Sequence, residues 1–156
     1  MKRIYLFVPL FILSFIFSQS TILTMGSGTV DAGETVVIGV DLENPDENIS
    51  GFQIQIVDWP NYLTVGNAEL DVSVTDRTSD FMVVGNEQPD GSFIIVGFSL
   101  SGSNIDFGTG SIVDVTYTST SEYSTEIQLS IVPELSVLSD PSASPVDFSV
   151  EPGVVI

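Results

Sequence analysis

The chain has 156 residues but no cysteine and no histidine, and only three basic residues stand against 21 acidic ones. The absence of cysteine excludes disulfides and thiolate zinc sites, so packing alone must hold the fold together. The absence of histidine removes the usual general base at neutral pH and, with it, any Ser-His-Asp triad. Carboxylate chemistry remains, but a glycosidase needs two carboxylates flanking a cleft. A short chain with short loops has little material for one, so no enzyme is expected. The shortage of cations excludes nucleic-acid binding, which requires Lys and Arg to displace counterions from phosphate.

Two of the three cations, Lys2 and Arg3, precede an apolar run over residues 4–17 that only Ser14 interrupts. Ser18, Gln19 and Ser20 follow. A basic head, a short apolar stretch and small residues describe a secretory signal peptide over residues 1–20. The run falls short of the roughly 20 apolar residues that span a bilayer. With no cysteine after it, lipid attachment is excluded. The expectation is a secreted, extracellular protein with one domain over residues 21–156, in which Arg77 is the only fixed side-chain cation. Its acids are spread along the chain, a pattern that suits solubility.

That domain reads as short strands between turn signals, with no convincing helix. Over residues 34–43, Val36, Ile38, Val40 and Leu42 share one face. Over residues 51–56, Phe52, Ile54 and Ile56 point one way and Gly51, Gln53 and Gln55 the other. Pro89, Asp90 and Gly91 form a turn between apolar runs at 81–84 and 93–96, as in a hairpin. Further strands are expected at 111–118, 125–132, 136–138, 146–150 and 154–156. Val113, Val115 and Tyr117 face inward in the first of these, and Ile127, Leu129 and Ile131 in the second. Residues 44–50 read as a polar loop. The fold class is all-β: a two-sheet antiparallel β-sandwich of about nine strands with jelly-roll-like topology. Residues 93–98 are apolar on both faces, which places that strand mid-sheet with its second side covered.

The order of these pieces resembles a cohesin domain, the β-sandwich that captures dockerin domains in cellulosome-type assemblies. The likeness begins at Val30, Asp31, Ala32, Gly33, Glu34, Thr35 and Val36, then continues through the Gly51-Phe52 strand into Asp58, Trp59, Pro60, Asn61, Tyr62 and Leu63. Asp90-Gly91 is similar to the family's central hairpin. Gly108, Gly110 and Ile112 match the start of a late strand, and Leu138, Ser139, Asp140, Val146 and residues 153–156 resemble the closing segments. The resemblance implies a dockerin-like protein partner gripped by a flat sheet face. On that face stand Gly51, Gln53 and Gln55, where members often carry Asn and Asp. Ile94 and Val96 are the candidates for apolar contact.

Two other constellations bear on function. Asp41, Glu43, Asp46 and Glu47 cluster near a strand end, but no Asp-x-Asp-x-Asp-Gly loop exists, so neither a metal site nor any cofactor is expected. Carbohydrate binding is the alternative function, because sugar-binding sandwiches stack rings on exposed aromatics. Trp59 and Tyr62 are its candidates, although a lone tryptophan at a strand end is expected to plug the core. Cohesins and some cellulose-binding modules share this architecture, so fold alone does not separate them.

Overall fold

A computed structural model describes residues 20–66, 70–120 and 125–156. The expected signal peptide lies outside these residues except for Ser20. Among the described residues no helix is long and apolar enough to cross a membrane.

Among the described residues thirteen strands form two sheets. The six-stranded sheet holds β1 (Thr21–Met25), β2 (Thr35–Asn44), β4 (Leu63–Thr64), β5 (Val72–Val74), β8 (Gly108–Ser119) and β12 (Phe148–Glu151), in the order β12-β1-β2-β8-β4, with β5 also on β8. The seven-stranded sheet holds β3 (Gly51–Trp59), β6 (Met82–Glu87), β7 (Phe93–Phe98), β9 (Ile127–Ile131), β10 (Val137–Ser139), β11 (Pro145–Val146) and β13 (Gly153–Val155). Its order is β11-β10-β3-β7-β6, while β9 pairs the far half of β3 and carries β13.

The expected sandwich is present, with two corrections. Short strands raise the number above nine, because pieces of two or three residues such as β4, β5 and β11 are held only by their neighbours. Nor is the pairing wholly antiparallel, since β1 runs parallel to β12, with Thr21 opposite Phe148.

The alternation does what the sequence predicts. Ile38, Val40 and Leu42 from β2, Ile54 and Ile56 from β3, and Ile127 and Leu129 from β9 are fully buried between the sheets. A bulge where β2 meets β8 buries two successive residues, Ile112 and Val113. Extra residues of this kind bend a strand and tighten its twist. The β6–β7 turn closes as expected. Gly91 has φ of 85°, a left-handed conformation that glycine adopts without penalty, and Asp90 Oδ1 accepts the Ser92 N–H at 3.0 Å.

The stretch 44–50 is more anchored than a polar loop. Ile49 is buried and bridges to Ile105, and buried Asn44 donates through Nδ2 to the Glu47 and Asp106 carbonyls. Arg77 completes this knot. Its Nη1 donates to the Leu42 carbonyl at 2.6 Å and the Gly110 carbonyl at 3.1 Å, and its Nη2 to Asn44 Oδ1 at 2.6 Å and the Asp106 carbonyl at 2.8 Å.

Candidate functional site: the outer face of the seven-stranded sheet

Strand pairing lays the outward side chains of β10, β3, β7 and β6 in rows. One row runs Val137, Gln53, Val96, Val84, and the next runs Ser139, Gly51, Phe98, Met82. A third runs Gln55, Ile94, Asn86. Gln53, Gln55, Gly51, Ile94 and Val96 therefore do share one face. Sequence reasoning missed Met82, Val84, Phe98 and Val137, four apolar residues exposed beside them. Alternation along β6 and β7 was enough to find the first three. Val137 requires knowing that β10 pairs with β3.

The two sandwich faces differ in chemistry. Outward rows of the six-stranded sheet contain Asp41, Glu43, Asp114 and Glu151 among threonines and serines. In the rows of the seven-stranded sheet no position is charged, although the chain has 21 acids. β7 is mid-sheet as predicted, but among the described residues no element covers its second side. Val84 and Met82 are each 47% exposed. A contiguous apolar patch of this kind marks an interaction surface more often than chance exposure does.

The polar members are positioned by their neighbours. Gln53 Nε2 donates to the Leu135 carbonyl at 3.2 Å. Gln55 Nε2 donates to Ser92 Oγ at 3.0 Å, and its backbone N–H donates to Ser136 Oγ at 3.0 Å. Both side-chain carbonyl oxygens keep acceptor capacity for a partner.

Trp59 does not plug the core. It is the last outward residue of β3, after Gln53, Gln55 and Val57, and is 78% exposed. Tyr62 packs partly buried against the core instead, so the two rings do not form one strip. Asp58, just before the tryptophan, faces inward, and its Oδ2 accepts the backbone N–H groups of Tyr62 at 2.8 Å and Leu63 at 2.9 Å. Burial pushes the Asp58 carboxyl above its ordinary range, and Glu87 nearby adds to the rise. The inward Tyr117 hydroxyl, buried without a partner, is also pushed up by burial.

No family model and no curated protein matches this sequence. Among solved structures the likeness is clear. The OlpA cohesin of Clostridium thermocellum, solved with dockerin Doc918, superposes with a TM-score of 0.71 at 14% identity, covering 88% of this chain and 98% of that one. The chain has the cohesin fold. The non-cellulosomal cohesin of the archaeon Archaeoglobus fulgidus gives a TM-score of 0.69 at 20% identity over 88% of this chain and 90% of that one. The sixth cohesin of Acetivibrio cellulolyticus scaffoldin B, solved with the Cel5 dockerin, gives 0.67 at 20% identity, with 88% and 98% covered. At these identities the cohesin likeness concerns the fold, and any site must be argued from this chain's own residues.

Proposed function

We propose that this protein is a secreted, non-catalytic recognition module that docks a dockerin-like protein partner on the outer face of its seven-stranded sheet. The observation that carries the reading is the contrast between faces: one sheet is solvated by acids and threonines, the other is uncharged and apolar across four paired strands. A preformed sheet face presents its side chains with little reorganisation. Val84, Val96, Phe98 and Ile94 would supply the desolvated centre, and Gln53 and Gln55 would fix orientation by hydrogen bonds. Solved cohesins complexed with dockerins support the choice of partner. The signal-peptide pattern read at residues 1–20 supports export, and the resemblance to cohesins of cellulosome-type assemblies supports a setting in extracellular polysaccharide breakdown. Carbohydrate binding is the weaker reading because, among the described residues, Tyr62 is partly buried against the core and does not extend the exposed Trp59 into a strip.

The test is direct binding of the purified protein to dockerin domains encoded by the same organism, with insoluble polysaccharide run in parallel. Binding to a dockerin that disappears on Val96→Asp supports the reading. Retention on polysaccharide alone overturns it.

A further inference from the structure

The outward row of β3 does not end at the apolar patch. Beyond Gln55 it continues through Val57 to Trp59, whose cross-strand neighbour is Gln128 of β9, followed by Val154 of β13. None of these positions is charged either. At about 3.3 Å per residue, the indole lies roughly 20 Å along the strand from Gln53. It is the chain's sole tryptophan, and it is 78% exposed. An indole exposed at the end of an uncharged sheet face is the side chain most often found as an energetic anchor when such a face is covered.

We propose that Trp59 is a second anchor of the docking face. The occupant is a basic protein surface with an apolar helical ridge reaching from Val84 and Val96 to Trp59. This rests on the docking reading above and extends it by naming the far end of the footprint and the partner's charge. A ridge of roughly 20 Å corresponds to about 13 helical residues at ~1.5 Å each.

The charge follows from complementarity. The face is neutral, but it is approached through the field of 21 acids. Among the described residues the only cation, Arg77, is committed to Leu42, Gly110, Asn44 and Asp106. That field repels a second copy of this chain and draws a cationic surface, raising its association rate at low salt. A neutral sugar polymer such as cellulose would gain nothing from that field, and an acidic one would be repelled by it.

The probe is a synthetic amphipathic helix with leucine on one face and lysine on the other. A control peptide of equal charge carries serine in place of leucine. Binding is measured by calorimetry, and because Trp59 is the sole tryptophan its emission reports coverage without ambiguity. The Leu/Lys helix should bind about tenfold or more tighter than the Ser/Lys control and shift Trp59 emission to the blue. Its affinity should fall as salt is raised. Val96→Asp and Trp59→Ala should each weaken it about tenfold. If Val96→Asp weakens binding and Trp59→Ala does not, the footprint stops short of Trp59 and this inference falls while the docking face stands. If neither substitution matters, or both peptides bind alike, the docking face itself is refuted. Salt-independent affinity overturns the basic partner. Retention on cellulose abolished by Trp59→Ala, with peptide binding intact, would make Trp59 a sugar contact instead.

Discussion

The ring of Phe52 occupies the space that a side chain at Gly97 would need. Gly97 lies inward on β7 opposite Phe52 on β3, and a Cβ there would collide with the ring tip. Phe52 is itself held in the core, where its ring stacks on Phe81 at 6.3 Å between centroids. Gly97→Ala is therefore expected to destabilise the domain by about 1–3 kcal/mol, the usual cost of overpacking a filled core. Adding Phe52→Leu should recover part of the loss. Urea unfolding of the single and double variants checks this, and additive losses would contradict it.

Arg77 ties the end of β2, the start of β8 and the 105–107 segment together through four hydrogen bonds. Arg77→Met would leave the partly buried carbonyls and Asn44 Oδ1 without that donor. A loss of about 2 kcal/mol or more is expected, since each unsatisfied buried group costs ~1–3 kcal/mol. The melting temperature should drop while Trp59 emission in the folded state stays unchanged.

Asp58 sets a pH dependence of definite sign. Its carboxyl sits above the ordinary value, chiefly through burial. Between the ordinary and the raised value, the folded state holds a proton that the unfolded chain has already lost. The contribution of this group to stability therefore falls as pH rises through that window and is constant above it. Asp58→Asn should remove this part of the slope while keeping an oxygen to accept from Tyr62 and Leu63. Melting curves for the two proteins across mildly acidic pH should diverge, and parallel curves would contradict the assignment.

The facing of β3 gives a sharper contrast. Ile54 is completely buried whereas Gln53 is exposed. Ile54→Asp places a charge in the core and should prevent folding. Gln53→Asp should leave the melting temperature within about a degree or two of the parent, as surface changes usually do. Equal effects would refute the strand orientation.

What the sequence made legible and what it hid have a common physical basis. The long strands β2, β3, β7 and β8 carry period-two alternation over enough residues to identify both strand and facing. β1 was missed because Thr21–Met25 follows the apolar run of residues 4–17 closely and reads as its continuation, while its burial comes from pairing with β2 and β12. β4 and β5 are too short for any pattern and exist because β8 offers them a partner. Trp59 is the instructive case. Its parity with Gln53 and Gln55 already put it on the outward row, but its proline neighbour made it read as part of a turn. The Trp59–Pro60 bond is cis, and the strand keeps its alternation up to the tryptophan.

The central claim is that the uncharged outer face of the seven-stranded sheet, and not its acidic counterpart, is the docking surface. The most direct measurement compares Val96→Asp with Val37→Asp, an equally drastic change at an exposed position on the six-stranded sheet. Each is titrated with a dockerin domain that binds the parent protein, after circular dichroism has established that both variants fold. The account predicts that Val96→Asp abolishes binding and that Val37→Asp leaves it unchanged. Binding that survives Val96→Asp and is lost with Val37→Asp would contradict it.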